Sequence, residues 1–285
     1  MFIIWLFFIS PILFSTNKIN KIPEKTTFSL FEVREFKKID EKVFSLKDEI
    51  SAEGVIILDD QGKIIYGKNI NQNFSLASLT KLLSAYIALE VYNENQIFSF
   101  TSSALEAPGE VGGFKKGEKL TLSELLHASL IASSNDSIYL LAEYYGIQNF
   151  VEKINKALKN WGFKNTKIYE PTGISLENLS TPYEFSQILL KLYLKKPEIF
   201  EISRKEYVDI NGKRLWTTNI LLRKYSKIIV GGKTGYLPEV GENLALIIKF
   251  PQSPFISLVI FKSQDRFKDA EIIIKSLANY YHYDL

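Results

Sequence analysis

Cysteine is absent from this chain of 285 residues, and histidine occurs only twice. Without cysteine there can be no disulfide, no thiolate nucleophile, no thiolate metal site and no lipid attachment through a cysteine. The two histidines are His127, in an apolar helical stretch, and His282, close to the end of the sequence. Histidines so placed argue against both a serine–histidine–acid triad and a zinc peptidase. We therefore expect neither a metal nor a cofactor.

A strong charge of one sign is also lacking, since 35 Lys and Arg residues face 32 Asp and Glu residues for a formal net charge of +3. No basic run with interleaved aromatic residues is present, so a nucleic-acid partner is not expected. Aromatic residues are plentiful, with 20 Phe and 15 Tyr, and supply material for a core and a groove. The length allows one large domain or two small ones.

An almost continuous apolar run occupies residues 2–14. It is short for a membrane span but fits the apolar core of an export signal. No Lys or Arg precedes this run and no good cleavage site follows it. Cleavage of the segment and its retention as a membrane tether therefore both stay open. A buried N-terminal helix is the alternative to an export signal. We predict an extracytoplasmic protein, in the periplasm or at the cell surface. The expected parts are a signal peptide or anchor at 1–16, a linker at 17–50 and a catalytic domain at 51–285.

Three short polar motifs follow one another in the rest of the chain. None is persuasive alone, because Ser-x-x-Lys also occurs at Ser15 to Lys18, in the stretch interpreted as leader or linker. Their order and their surroundings make the joint interpretation strong. The motifs are Ser78-Leu79-Thr80-Lys81, Ser133-Ser134-Asn135 and Lys233-Thr234-Gly235.

The residue types in these motifs fit nucleophilic catalysis by a serine. A serine hydroxyl attacks well only when a neighbouring base accepts its proton. If Ser78 begins a helix, Lys81 lies on the same face with its amine in reach. A lysine base must be neutral, and lowering its pKa by roughly 3 units costs about 4 kcal/mol, so Lys81 needs burial and a second cation. Lys233 is the candidate cation, and Ser133 with Asn135 could relay a proton and hold a substrate amide.

The pattern of expected strands and helices places the three motifs at one seam. Early and late strands must pair in one sheet, because mostly helical sequence separates them. We predict an α/β (α+β) fold in which N- and C-terminal strands form an antiparallel sheet, flanked by helices, with a mostly helical inserted lobe. The expected elements are strands at 54–59, 63–68, 228–232, 243–250 and 256–262, helix-rich sequence from 79 to about 194, and a closing helix at 269–281.

Further sequence blocks surround the motifs. They are the run from Asp60 to Tyr66, the run from Leu120 to Leu126, Asn165-Thr166, Pro171-Thr172-Gly173-Ile174, Thr218-Asn219 and Arg266-Phe267. Together with the motifs, these blocks resemble the serine-type D-alanyl-D-alanine carboxypeptidases, the low-molecular-mass penicillin-binding proteins of peptidase family S11. The resemblance covers roughly residues 50–280 and implies a fold of the β-lactamase and transpeptidase type.

The resemblance also implies a role for each residue around the reacting bond. Ser78 would be the acylated nucleophile and Lys81 its base. Ser133 and Asn135 would join the proton relay and the substrate contacts. The oxyanion hole would consist of the backbone N–H groups of Ser78 and Tyr236, which require no particular side chain.

The third motif is expected to bind the substrate. By the same resemblance, Lys233 and Thr234 would face the terminal carboxylate, and the paired donors of Arg266 would help to anchor it. Gly235 suits a place where the substrate backbone must approach closely.

Three positions depart from the family pattern without removing a catalytic atom. Ser134 stands where glycine is usual, Leu237 where threonine is common, and Val240-Gly241 where alanine-glycine is usual. The departures bear on substrate preference and rate.

The predicted activity is that of a D-Ala-D-Ala carboxypeptidase acting on peptidoglycan stem peptides, with β-lactams as covalent inhibitors. A D,D-endopeptidase of the same family is the first alternative. A β-lactamase is the second, and Glu170 lies where its deacylating base would be sought, although Glu-Pro-Thr-Gly-Ile lacks the pattern expected there. A catalytically inactive peptidoglycan-binding scaffold is the third.

Overall fold

A computed structural model describes residues 44–46, 49–109 and 111–285 of the chain. The predicted signal or anchor and most of the predicted linker lie outside these described residues. Among the residues described, no helix combines the length and the apolar character needed to cross a membrane.

The described residues alternate short strands with helices along the whole chain. The strands are β1 (Gly54–Asp59), β2 (Ile64–Lys68), β3 (Phe74–Ser75), β4 (Ile97–Ser99), β5 (Lys119–Thr121), β6 (Leu179–Ser180), β7 (Tyr207–Ile210), β8 (Lys213–Trp216), β9 (Ile229–Leu237), β10 (Gly241–Lys249) and β11 (Phe255–Ser263). The helices are α1 (Thr80–Val91), α2 (Ser102–Leu105), α3 (Leu122–Ile131), α4 (Asn135–Tyr145), α5 (Ile147–Asn160), α6 (Pro182–Lys195), α7 (Glu198–Ser203), α8 (Leu222–Tyr225) and α9 (Arg266–Tyr280).

The main sheet of the described residues has the strand order β2-β1-β11-β10-β9, and all neighbouring strands are antiparallel. The first strand pairs directly with the last, in a register that runs from Gly54 opposite Phe261 to Asp59 opposite Ile256. Strands from the two ends of the catalytic domain therefore meet in one sheet, as the sequence predicts.

Both faces of this sheet are covered, which explains why β1 is buried along its whole length. Ile56 and Leu58 belong to the core shared with the helical lobe, whereas Val55 and Ile57 belong to the core under α9. Alternate side chains of a strand point to opposite faces, so one strand contributes to two cores.

The helical lobe is built from helices with well-defined starts. Thr121 and Glu124 form a reciprocal capping box at the start of α3. Thr181 caps α6, which has Pro182 in its first turn. Such caps satisfy backbone N–H groups that have no partner within the helix. They define the residues at which α3 and α6 begin.

The structure corrects the sequence prediction in several elements. The closing helix begins at Arg266 and not at Asp269, so Arg266 lies in its first turn. The strand expected to end at Gly232 continues to Leu237, so the whole third motif lies within β9. The short strands β7 and β8 form an antiparallel hairpin that the sequence analysis did not predict. In β9, Gly231, Gly232 and Gly235 interrupt the β-branched residues that are typical of a strand. In the hairpin, charged residues interrupt the apolar pattern of the two strands.

Candidate active site

Ser78 lies at the junction of the sheet and the helical lobe, in a 3-10 turn at Ala77–Leu79 that leads into α1. Ala77 adopts a φ of +47°, a left-handed conformation that is uncommon for a residue with a side chain. The turn exposes part of Ser78 while its neighbours are buried. Lys81 follows in the first turn of α1 and its Nζ donates a hydrogen bond to Ser78 Oγ at 2.8 Å.

Two asparagines that the sequence analysis did not single out hold this turn from both sides. The Nδ2 group of Asn243, on β10, donates to Ser75 O at 2.8 Å. From the other side, the backbone N–H of Leu76 donates to Asn178 O at 2.8 Å. The nucleophile is therefore fixed relative to both the sheet and the helical lobe. These contacts join residues about 100 or more positions apart, for which the sequence carries no signal.

Two glycines allow other segments to pack directly on the turn. Gly173 has a φ of +95°, and a Cβ added there would lie only 2.0 Å from Ala77 O. A Cβ on Gly235 would lie 3.2 Å from Ser78 N. Strand β9 consequently runs beside the turn, where the backbone N–H groups of Ser78 and Tyr236 are expected to form the oxyanion hole. The side chain of Tyr236 is 56 % exposed.

Lys81 is completely buried and has a second hydrogen-bond partner besides Ser78. Its Nζ donates to Thr172 O at 2.6 Å. Burial lowers the pKa of Lys81 from 10.5 to about 7, while the negative charges of Glu170 and Asp136 act in the opposite direction. A lysine with this pKa is neutral in a large fraction of molecules at neutral pH, as a general base must be.

The second and third motifs are linked by one hydrogen bond. Lys233 Nζ donates to Ser133 Oγ at 2.9 Å and to Thr234 O at 3.0 Å. Ser133 has a φ of +66° immediately before α4. Ser134, the departure from the usual glycine, caps α4 by accepting a bond from Ser137 N.

Lys233 differs from the simple cation expected from the sequence. Its pKa is lowered well below 10.5, first by burial and then by the charges of Lys81 and Arg266. Three basic side chains thus share a largely buried region. An anion bound beside Lys233 would relieve their mutual repulsion.

Asn135 and Thr234 are held in place by neighbouring polar groups. Asn135 Nδ2 donates to Pro108 O, whereas its buried Oδ1 has no hydrogen-bond partner among the described residues. That oxygen can accept a bond from an amide N–H. The hydroxyls of Thr234 and Thr218 are 2.6 Å apart.

Arg266 is tied to the strand that carries the third motif. Its Nη1 donates to Gly235 O at 2.6 Å, and its Nε lies 3.7 Å from a carboxylate oxygen of Glu242. The Arg266 backbone N–H also donates to Glu242, at 3.0 Å. The guanidinium therefore lies beside the third motif, and its contact with a substrate carboxylate stays a prediction.

The other residues considered from the sequence make contacts of a different kind. His127 is half-buried, with Nδ1 2.7 Å from Ser123 O and Nε2 2.8 Å from Lys205 Nζ. Its hydrogen bonds do not involve Ser78. The Glu170 carboxylate accepts bonds from its own loop, including Thr172 N at 2.7 Å. No group of three or more His, Cys, Asp or Glu suited to a metal ion occurs in the part of the chain that the structure describes.

A half-buried serine paired with a buried lysine, between an antiparallel sheet and a helical lobe, is the arrangement that the sequence resemblance to penicillin-binding proteins predicts. The fold agrees with penicillin-binding protein 5 from Haemophilus influenzae, with a TM-score of 0.76, 22% identity, and coverage of 84% of this chain and 73% of that one. It also agrees with a mutant form of the Streptomyces DD-transpeptidase, at a TM-score of 0.74 and 24% identity, covering 81% and 98% of the two chains. The predicted fold class is confirmed.

The chain belongs to the D-alanyl-D-alanine carboxypeptidase family, peptidase S11, whose model matches residues 41–264. It is 31% identical over 250 residues to the D-alanyl-D-alanine carboxypeptidase DacF of Bacillus subtilis, covering 83% of this chain and 64% of that relative, so it spans less than two thirds of DacF. It is 27% identical over 241 residues to a D-alanyl-D-alanine endopeptidase of Pseudomonas aeruginosa, covering 79% and 76%. The family resemblance inferred from the sequence is confirmed.

Proposed function

We propose that the protein is a serine-type D-Ala-D-Ala carboxypeptidase that acts on peptidoglycan stem peptides. The observation that carries the proposal is the hydrogen bond between Ser78 Oγ and the Nζ of a fully buried Lys81. Membership of the carboxypeptidase family and the 31% identity to DacF support the choice of substrate.

In the first step, neutral Lys81 removes the Ser78 proton while Ser78 Oγ attacks the carbonyl carbon of the penultimate D-Ala. The backbone N–H groups of Ser78 and Tyr236 stabilise the resulting oxyanion. The peptide C–N bond then breaks. The departing amine takes the proton through Ser133, which Lys233 contacts at 2.9 Å. Free D-alanine leaves, and the rest of the peptide stays on Ser78 as an ester.

In the second step, a water molecule attacks the ester carbonyl and loses its proton to the regenerated base. The C–O bond to Ser78 breaks, the peptide leaves with a carboxylate end, and Ser78 recovers its proton. A β-lactam would acylate Ser78 in the same way, with opening of its ring in place of loss of D-alanine. Because the opened ring stays attached to the acyl group, the adduct is expected to persist.

The terminal carboxylate of the substrate is proposed to bind near Lys233, Thr234 and Arg266. The lowered pKa of Lys233, caused by burial and by nearby cations, indicates a site that favours an added negative charge. Asn135 Oδ1, buried and without a partner among the described residues, is proposed to accept a bond from the substrate amide.

A second candidate function is cleavage of the D-Ala-containing cross-link between two stem peptides. The 27% identity to the endopeptidase of Pseudomonas aeruginosa favours it. The chemistry at Ser78 would be the same, but the leaving amine would belong to a second peptide.

The test is to incubate the purified protein with a free pentapeptide and, separately, with a cross-linked peptide dimer. Release of D-alanine from the pentapeptide, absent in Ser78→Ala, is the expected result. Cleavage of the dimer alone would replace the carboxypeptidase by the endopeptidase. Equal release by Ser78→Ala and the unsubstituted protein would refute the mechanism.

We also propose that the protein acts outside the cytoplasm, with residues 1–16 as signal or anchor and 51–285 as the catalytic domain. The apolar run at 2–14 and the location of peptidoglycan support this arrangement. Fractionation of the native cell tests it, and a mainly cytosolic protein would contradict it.

A further inference from the structure

The carboxylate of Glu170 accepts several hydrogen bonds within the loop at residues 170–178, which lies beside Lys81. It accepts hydrogen bonds from Thr172 N and Thr172 Oγ1, both at 2.7 Å, and from Gly173 N at 2.5 Å. It also accepts from Ser175 N at 3.3 Å and Asn178 Nδ2 at 2.9 Å. One carboxylate thus organises donors from four residues of the loop.

The loop that Glu170 organises is in contact with the Lys81 side chain and with the backbone beside Ser78. Thr172 O accepts the hydrogen bond from Lys81 Nζ at 2.6 Å. Gly173 packs on Ala77 O, directly before Ser78. A displacement of this loop by a fraction of an ångström would therefore move the acceptor of Lys81 and the support of the nucleophile together.

A second connection runs through Asn178, which is completely buried. Its Nδ2 donates to Thr80 Oγ1 at 3.2 Å, next to Lys81 in α1, as well as to the Glu170 carboxylate. Its Oδ1 accepts from Tyr169 N at 2.7 Å and from Glu170 N at 3.2 Å. The loop is thereby attached to α1 itself.

These contacts also argue against a role of Glu170 as a deacylating base. A deacylating base needs a lone pair directed at a water molecule beside the ester. Both oxygens of the Glu170 carboxylate accept hydrogen bonds from the loop backbone, Thr172 Oγ1 or Asn178. The residue is built into the loop.

We propose that Glu170 is a positioning residue: it organises the loop so that Thr172 O stays within hydrogen-bonding distance of Lys81 Nζ, and it places a carboxylate near this lysine. The proposal rests on the roles proposed above for Ser78 and Lys81. In this role Glu170 acts through Lys81 and the loop that contacts it.

Two carboxylates act on the charge of Lys81, and a third charged group lies nearby. Glu170 in the loop and Asp136 on α4 favour its charged form, and Lys233 on β9 lies in the same buried region. Burial opposes the charged form more strongly than the two carboxylates favour it, and leaves the pKa at about 7. Removal of the Glu170 charge must therefore lower the pKa of Lys81 further.

The matched control is Glu184, a carboxylate that organises a different turn. It accepts bonds from Lys164 N at 3.0 Å, Asn165 N at 3.0 Å and Thr166 Oγ1 at 2.8 Å. It is not among the charges that act on the pKa of Lys81. Glu184→Gln therefore reproduces the loss of a loop-organising carboxylate without the predicted effect on Lys81.

The experiment is an NMR pH titration of the side-chain Cε signal of Lys81 in lysine-labelled protein, assigned with Lys81→Ala. Glu170→Gln should lower the midpoint by about one pH unit or more, as expected for loss of a nearby opposite charge. Glu184→Gln should leave it in place. Equal midpoints in Glu170→Gln and the unsubstituted protein would overturn the proposal. This readout does not depend on activity, so it stands even if the proposed function fails.

A second variant, Glu170→Asp, separates the effect of the charge at position 170 from the effect of side-chain length. It tests the positioning role even if Glu170→Gln does not fold. Glu170→Asp keeps the charge but cannot reach all the donors of the loop. The limiting rate of acylation by benzylpenicillin should fall about 10- to 100-fold, the cost of slight misplacement of reacting groups, with little change in the drug concentration for half-maximal rate. The Lys81 midpoint should stay close to that of the unsubstituted protein. Acylation by Glu170→Asp at the original limiting rate would overturn the positioning role.

Discussion

The two buried lysines of the candidate site, Lys81 and Lys233, have opposite surroundings. Lys81, on the helical side, contacts Ser78 Oγ and a loop carbonyl, and two carboxylates favour its charge. Lys233, on the sheet side, contacts Ser133 Oγ, and the charges that act on its pKa are those of two other cations. These surroundings fit the roles proposed for the two residues, proton exchange near pH 7 for Lys81 and binding of an anion for Lys233.

This difference shows that burial alone does not define the role of a lysine. Burial lowers the pKa of both residues. The signs of the neighbouring charges then distinguish the two residues. Two carboxylates raise the pKa of Lys81 and partly offset the effect of burial, whereas two cations lower the pKa of Lys233 further. A bound anion would therefore stabilise the charged form of Lys233. Substitutions on the two sides should accordingly affect different properties of the enzyme.

The largest expected effect comes from Lys81→Ala, which removes the base. Acylation by benzylpenicillin should slow by about 10²- to 10⁴-fold, the usual contribution of a general base. The measurement is the acylation rate followed by mass spectrometry, with the circular dichroism spectrum as a check on folding. A folded Lys81→Ala protein that acylates at the original rate would remove the distinction between the two lysines.

On the sheet side, Arg266→Ala should reduce turnover of peptides with a free terminal carboxylate by about 10- to 100-fold, since a charge-assisted hydrogen bond contributes about 1.5–3 kcal/mol. Peptides with an amidated end should be affected much less. Kinetics with the two peptides measure this. Lys268→Ala, an exposed position two residues further along α9, serves as the control and should change neither. An equal loss with both peptides would argue against anchoring of the carboxylate.

The pH dependence of the acylation rate should reflect the protonation of Lys81, on the helical side of the site. Neutral Lys81 is the active form, so acylation should rise with pH through a midpoint at about 7 and level off above it. One unit below the midpoint, only about a tenth of the lysine is neutral and the rate should be about tenfold below the plateau. A pH–rate profile of acylation measures this. A rate that falls as pH rises from about 6 to about 8 would have the wrong sign for a lysine base.

The smallest effect is expected from Thr218→Val, which removes the hydroxyl 2.6 Å from the Thr234 hydroxyl. Loss of one neutral hydrogen bond costs about 1 kcal/mol, so carboxypeptidase turnover should fall about fivefold. The midpoint of the pH–rate profile should not move, because Thr218 acts on the sheet side. A shift of that midpoint would show that the two sides are coupled more closely than described.

Much of this arrangement could be predicted from sequence. The order of the three motifs, with strands at both ends and helices between, predicts that Ser78, Ser133 and Lys233 meet at a seam. The structure links Ser78 to Lys81 and Ser133 to Lys233 by single hydrogen bonds. Local spacing on a helix accounts for the first pair, whereas the sequence analysis does not predict the second, which joins residues 100 positions apart.

The parts that could not be predicted depend on long-range contacts between polar groups. Asn178 and Asn243 hold the nucleophile turn by hydrogen bonds with the backbone N–H of Leu76 and the backbone carbonyl of Ser75. Every residue has a backbone carbonyl and nearly every residue a backbone N–H, so the sequence does not show which of these groups will be bonded. The sequence pattern around Glu170 argues against a deacylating base, but it does not predict the hydrogen bonds that this carboxylate accepts from its own loop. The opposite surroundings of Lys81 and Lys233 arise from charges brought together only by folding.

The most direct test of the central claim is the intact mass of the protein after exposure to benzylpenicillin, measured beside Ser78→Ala. We predict that the unsubstituted protein gains the mass of one drug molecule and that Ser78→Ala gains none. An adduct of equal amount on both proteins, or an unlabelled protein with the drug intact, would contradict Ser78 as the acylated nucleophile. Rapid consumption of the drug without an adduct would instead identify a β-lactamase.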